Sequence, residues 1–203
     1  MKTMADKIYE NRIAARTVEE GEYYDSLIEG DMEDGYFYAV SVNDSKFSKN
    51  KLLRSRFEKV YLTGTDIEGA DLSNTEWRGC SISGKFTDTK LVGAVFDDCY
   101  ITADFSSCDM RMTSFCKCKM NNVKFSECNL RESSFDENKL KALKIVRSDI
   151  SGIELSRTSF KGVDLSGNRL ESISVQGGEL AGAKISYEQS PVIAALVGVK
   201  LVD

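Results

Sequence analysis

The chain has 203 residues, of which 41% are hydrophobic and 29% charged, and its 27 basic and 32 acidic side chains leave a net charge of −5. This balance suits a soluble folded protein; no apolar run reaches the ~20 residues that cross a bilayer, and MKTMADKIYENRIAARTVEE has no leader-like apolar core, so a cytoplasmic protein is expected. The absence of histidine removes the commonest general base, the commonest metal ligand and every Ser–His or Cys–His nucleophile pair.

Residues 1–24 read as an N-terminal segment in which Ile13, Val18 and Tyr23 suggest a first, looser coil. From residue 25 to 187 the sequence divides into blocks of five with an apolar residue at each centre. Leu27 to Ile82 gives twelve blocks, Phe86 to Ile101 four, and Phe105 to Ile185 seventeen, and all 33 centres are apolar. The two junctions, Ile82 to Phe86 and Ile101 to Phe105, are four-residue steps. All ten phenylalanines and the single tryptophan are block centres, and from Phe37 to Phe135 aromatic residues hold every second block, with Ile67 the one substitute. This parity survives both short steps, so each is a shortened block rather than a lost one.

Helices repeat every 3.6 residues and strands every two, so neither explains a period of five. A chain that turns a corner once per block does. Four blocks then close one coil, each side placing its centre inward. The residue two before the centre tends to be small, as at Ala70, Thr75, Ala94 and Thr113, which leaves room inside a narrow filled coil. Cys80, Cys99, Cys108, Cys118 and Cys128 hold this same position and read as inward structural thiols, whereas Cys116 follows the centre Phe115 and points outward, a candidate exposed and reactive thiol. No metal site is expected, because zinc needs four convergent ligands. GCSISGKF (79–86) comes near the phosphate-binding pattern GxxxxGK(S/T), but Phe86 replaces the hydroxyl residue and both Ile82 and Phe86 are block centres. No cofactor follows from it.

After Ile185 the period stops, and residues 188–203 read as a C-terminal capping and dimerisation helix with a short strand. Two starts compete. Ser186 and Gln189 fit a capping box for a helix from Tyr187; Ser190 as cap with Pro191 at the first helical position is preferred, since Pro191 otherwise removes a helical hydrogen bond. Gly198 would end the helix and VKLV would follow as a strand. The helix is apolar nearly all round. One side can cap the open coil, and the other suits a second copy related by a two-fold axis. The interface residues expected are Val192, Ile193, Leu196, Val197, Val199 and Leu201.

Blocks such as ADLSN (70–74), ADFSS (103–107), CNLRE (128–132) and VDLSG (163–167) resemble the A(D/N)LXX unit of the pentapeptide-repeat family. The resemblance implies an all-β fold, a right-handed quadrilateral β-helix of about eight coils ending in a short helix. The tail LAGAKISYEQSPVIAALVGVKLVD resembles the endings of the Qnr and MfpA type of this family, and since no insertion interrupts the blocks, the loopless members are the nearer comparison. That resemblance implies a non-enzymatic homodimer that binds DNA gyrase and topoisomerase IV, partly mimics duplex DNA and protects these enzymes from quinolones.

Charge is banded along the chain. Residues 1–45 carry a net −7, 46–60 a net +5, 61–110 a net −6 and 111–147 a net +5. The acidic middle band, with Asp66, Glu68, Glu76, Asp88, Asp97, Asp98 and Asp104, is the expected partner-binding surface. Counting four blocks places Glu76 beneath Asp97 and Asp98 on one wall, and Asp66 and Glu68 in line with Asp88 and Asp104 on another. No direct nucleic-acid binding and no membrane contact is expected. The alternative is a general protein-interaction solenoid with an unrelated partner; an enzyme lacks both histidine and any loop to shape a pocket.

Overall fold

The computed structural model describes residues 11–13, 17–28 and 30–200. Their nineteen strands all pair in parallel, most of them with the segments one coil before and one coil after. The result is a right-handed four-sided β-helix of about eight coils, closed at one end by the helix Ser190–Leu196.

Register fixes the four walls. The second wall stacks Phe37, Phe57, Trp77, Phe96, Phe115 and Phe135, then Leu155 and Val175. The third stacks Val42, Leu62, Ile82, Ile101, Met120 and Leu140. The fourth stacks Phe47, Ile67, Phe86, Phe105, Phe125 and Ile145. The first wall, joined by single bridges, carries Met32, Leu52, Leu72, Leu91, Met110 and Leu130. Aromatic parity therefore becomes two ring stacks on opposite walls. Successive centroids lie 3.8 Å apart at Phe57–Trp77 and 5.0 Å at Phe115–Phe135, and the two stacks touch at Phe115–Phe125, 6.0 Å apart. Offset stacking of this kind adds about 0.5–1.5 kcal/mol per pair beyond burial.

Two devices make each corner. The residue two after the centre takes a left-handed conformation, as at Lys117 (φ 54°), Asn122 (φ 53°) and Glu127 (φ 57°). At many corners the centre's carbonyl leaves the strand ladder, and a hydroxyl, amide or thiol at the inward small position of the next coil donates to it. Thr113 Oγ1 donates to the Leu91 carbonyl at 2.8 Å, Ser55 Oγ to Met32 at 2.9 Å, and Asn138 Nδ2 to Phe115 at 2.9 Å. A buried carbonyl left unpaired would cost about 1–3 kcal/mol, so this position asks for a small side chain that can donate.

The four-residue steps lie at the same corner of consecutive coils, where they stack on one another. A shortened block merges the corner residue with the inward small residue, so Gly84 and Ala103 each hold both positions, and strands Ser81–Thr87 and Tyr100–Ser106 run on without a break. The extra residue of the longer coil below is absorbed as a register shift between Leu62 and Thr65. Gly84 (φ 148°) has no room for a side chain, since a Cβ there would lie 1.9 Å from the Thr65 carbonyl oxygen.

The first coil corrects the expected frame. Ile28, not Leu27, is the buried centre and stacks on Phe47, while Leu27 is only half-buried. Val18 stacks on Phe37 and Tyr23 on Val42, so the frame 18, 23, 28 reaches Met32 through a third four-residue step. Leu27 and Ile28 are adjacent apolar residues, and apolarity alone does not choose between them.

At the other end the preferred start is displaced by one residue, with Gln189 as the N-cap and Ser190 as the first helical residue, while the alternative capping box forms at a preceding turn. A 3₁₀ turn Tyr187–Gln189 comes first, its Ser186 N–H donating to Gln189 Oε1 at 2.9 Å. The helix Ser190–Leu196 then follows with Pro191 in its first turn, where proline removes no helical bond. Gln189 is buried and donates to the carbonyls of Leu165 (2.9 Å) and Asn168 (2.8 Å), tying the cap to the coil below. Gly198 (φ 72°) ends the helix, with Val199 N–H bonded to Ala194 O. Val199 and Lys200 form no strand, and the rest of the expected VKLV strand lies outside the described residues.

Candidate functional site

The seven carboxylates of the acidic band do not form one surface. Glu76, Asp97 and Asp98 lie on the second wall, while Asp66, Glu68, Asp88 and Asp104 lie on the fourth, which is opposite. On the second wall Glu76 stands opposite Val95, and Asp97 opposite Arg78, because Glu76 precedes its centre and Asp97 follows its own. Glu76 is also paired with Arg78 at 3.1 Å and Arg56 at 3.8 Å. On the fourth wall Lys85 stands between Asp66 and Asp104, and Glu68 is paired with Lys46 at 2.5 Å. Hydrogen bonding to that ammonium holds Glu68 below the usual carboxylate range. Asp88, Asp97, Asp98 and Asp104 remain without an ion pair among the described residues.

Behind this lies a rule that block counting alone does not reveal. Along the first wall the residue before each centre runs Asp31, Lys51, Asp71, Lys90, Asp109, changing sign at every coil. Along the fourth it runs Lys46, Asp66, Lys85, Asp104, Lys124. Opposite charges directly across parallel strands contribute roughly 0.2–1 kcal/mol per pair, and like charges destabilise by similar amounts. The banding seen along the sequence therefore resolves, on the walls, into coil-by-coil matching.

The thiols stand where expected. Cys80, Cys99 and Cys118 stack along the third wall and Cys108 and Cys128 along the first, all buried, each Sγ facing the carbonyl that the corner leaves open, as for Cys118 and Phe96 O at 3.4 Å. Hydrogen bonding to Cys99 and burial push Cys80 and Cys118 up, so these stay protonated and inert. Cys116 lies on the outside of the second wall between Asp97 and Asp136. Partial burial and these two carboxylates raise it, so the outward thiol is poorly activated. GCSISGKF becomes part of the strand Ser81–Thr87, not a loop opening a helix. Among the described residues no cluster of His, Cys, Asp and Glu has the geometry to hold a metal, and no helix is long and apolar enough to cross a membrane.

The expected dimer residues divide in two. Val192, Ile193 and Leu196 pack onto the end of the core and serve as its lid. Val197 (73% exposed) and Val199 (52%) face outward, as do Tyr187 (89%) and Ile185 (37%), so the C-terminal segment exposes several apolar side chains. Leu201 lies outside the described residues.

Patterns for one family account for most of the solenoid: a pentapeptide repeat region matches residues 83–155, and pentapeptide repeats in eight copies match residues 43–76. The chain belongs to the pentapeptide-repeat family. Among solved pentapeptide-repeat structures, that of a trypsin-treated variant of QnrB1, a plasmid-mediated fluoroquinolone resistance protein, is 18% identical, with 95% of this chain and 97% of that one covered and a TM-score of 0.42. HetL, a pentapeptide-repeat protein involved in heterocyst differentiation regulation in the cyanobacterium Nostoc sp. strain PCC 7120, is 17% identical over 89% of this chain and 90% of its own, with a TM-score of 0.28. No curated protein matches the chain.

One site in this pentapeptide-repeat rod gave no sequence signal. On the fourth wall, strand Lys144–Val146 pairs with Lys124–Ser126 on one side only. Among the described residues no strand pairing or backbone hydrogen bond joins 143–147 to 163–167, although Asp164 pairs onward with Lys184. Asn168 Nδ2 still donates to the Ile145 carbonyl at 2.9 Å, the same corner bond that Asn138 makes to Phe115. A recess of about 520 Å³ opens there, lined by Leu143, Lys144, Ile145, Val146 and Arg147 below and by Gly162, Asp164, Ser166 and Gly167 above.

Proposed function

We propose that the chain is a non-enzymatic binding rod, acting as a cytoplasmic homodimer, that docks onto DNA gyrase or topoisomerase IV and protects it from quinolones. The observation that carries the binding role is the set of four unpaired carboxylates, Asp88, Asp97, Asp98 and Asp104, on walls whose other charges are largely matched coil by coil. The class of partner rests on the resemblance of the C-terminal tail, and the exposed apolar side chains of Ile185, Tyr187, Val197 and Val199 in the C-terminal segment support a two-fold dimer. Mimicry of duplex DNA is limited to those free carboxylates, since alternating columns do not reproduce a uniformly anionic rod.

A supercoiling assay with purified gyrase, with and without a quinolone, tests this reading. The protein should restore supercoiling in the presence of drug, and Asp97→Lys with Asp98→Lys should weaken that effect, more so at low salt, because screening shortens to about 8 Å near 0.15 M. No effect of the wild type on gyrase or topoisomerase IV at any salt would leave the general interaction rod, which the alternating columns also suit.

A further inference from the structure

Charge matching across the coils has one exception. Among the described residues, wherever two charged side chains stand directly in register they are of opposite sign, except at Lys119–Lys139 on the third wall and Lys124–Lys144 on the fourth. These walls share a corner, so the four lysines, with Lys141, lie on two adjoining faces of the same two consecutive coils. All five lysines are exposed, and none has an ion-pair partner among the described residues. Like charges in register destabilise a sheet, and the other described strand pairs avoid them. The lysine pair of the fourth wall also runs into the recess where that wall is open, through Lys144 and Arg147, and the recess floor is Leu143, Ile145 and Val146.

We infer that this corner is a docking site for an acidic segment of a partner protein, whose carboxylates lie over the lysines while one apolar side chain enters the recess. Three observations select a peptide over a nucleic acid. The basic residues on the two strand pairs are all lysines, point charges without the bidentate fork that favours phosphate. On the fourth wall the lysine column begins beside Asp104, in register with Lys124, and reaches Asp164 across the recess, so a long polyanion tracking that wall meets carboxylates at both ends. A recess with an apolar floor offers a phosphate backbone nothing, and offers a leucine or phenylalanine a place to leave water. The site is separate from the topoisomerase reading and stands or falls without it.

Fluorescence anisotropy on the full chain tests the inference with three probes: an acidic dodecapeptide of Asp and Glu with one central Phe, the same peptide with Ala for Phe, and a short DNA duplex. The Phe peptide should bind with salt-sensitive affinity, the Ala peptide about tenfold more weakly, and the duplex more weakly still. In Lys139→Glu with Lys144→Glu, binding of the Phe peptide should fall by about tenfold or more. That variant places opposite charges in register with Lys119 and Lys124, so its melting temperature should equal or exceed that of the wild type. A fall in melting temperature would refute the premise of uncompensated charge. Absence of peptide binding by the wild type, or duplex binding as tight as the Phe peptide, would overturn the proposal.

Discussion

Replacing Phe115 by alanine removes a fully buried ring from the middle of the longer stack, where it lies 5.1 Å from Phe96, 5.0 Å from Phe135 and 6.0 Å from Phe125. The backbone above and below is held by strand ladders at about 4.8 Å spacing, so the coil has little freedom to collapse onto the void. A cavity of roughly 100 Å³ at about 24 cal/mol per Å³ costs about 2.4 kcal/mol, and the lost transfer of the ring adds about 2 kcal/mol. The sum, about 4–5 kcal/mol, falls within the range measured for buried Phe→Ala changes. For a chain of this size it corresponds to a melting temperature lower by roughly 10–15 °C. Urea melts followed by far-ultraviolet circular dichroism measure it directly, with Phe160→Ala as an internal comparison. Phe160 meets one ring, Phe135, edge-on at 5.6 Å, and the half-buried Leu180 belongs to the looser last coil, so its loss should be smaller. A Phe115→Ala change below about 1 kcal/mol, or one smaller than Phe160→Ala, would refute the account of a rod held by stacked inward centres.

Cys118→Ser should change stability by less than about 1 kcal/mol, because serine keeps a donor to the Phe96 carbonyl, and Cys118→Ala should be the worse of the two in the same melts. A thiol reagent should label Cys116 before the five buried cysteines yet more slowly than a free thiol at neutral pH, since its raised pKa keeps thiolate scarce until the pH passes the folded value. Asp97→Asn with Asp136→Asn should speed that labelling; an unchanged rate would show that burial alone governs it. Val197→Asp or Val199→Asp should give a monomer by sedimentation with an intact coil, whereas Ile193→Asp should also lower the melting temperature because Ile193 closes the core. A wild type that sediments as a monomer at micromolar concentration removes the dimer altogether.

Much of the rod is legible in one strand of text, because a five-residue period constrains every block at once. The inward centres from Met32 to Leu180, the inward cysteines and the outward Cys116 follow from position within the block, whereas Ile185, expected as the last inward centre, is 37% exposed beyond the last closed coil. The misplacements share a cause: each needs a choice that the period leaves open. Leu27 and Ile28 both satisfy an apolar centre, and only pairing with Phe47 selects Ile28. Glu76 and Asp97 belong to the same wall, but side-chain register depends on whether a residue precedes or follows its centre, which sets Arg78 rather than Glu76 against Asp97. The recess at 143–147 is hidden for another reason. Its blocks carry acceptable centres, and the opening arises from how two coils meet, where 143–147 gain no strand partner from 163–167.

The left-handed corners carry a consequence for how this chain can be altered. Twenty-one of them, among the described residues, are built on residues other than glycine, including Lys49, Arg54, Lys59, Glu132 and Arg157. Each holds a conformation that an L-residue adopts at a penalty of roughly 1–2 kcal/mol, partly offset in any glycine replacement by the greater freedom of the unfolded chain. The corners are also where side chains project furthest, and several carry contacts between coils: Arg54 with Asp34 at 2.8 Å, Arg147 with Glu127 at 2.6 Å, Arg157 with Glu137 at 2.9 Å. Strain and outward reach thus coincide at the same positions. This chain keeps long side chains at its corners, so surface chemistry can be rewritten there without touching the stacked interior, provided paired corners such as Arg54 and Asp34 or Arg147 and Glu127 are changed together.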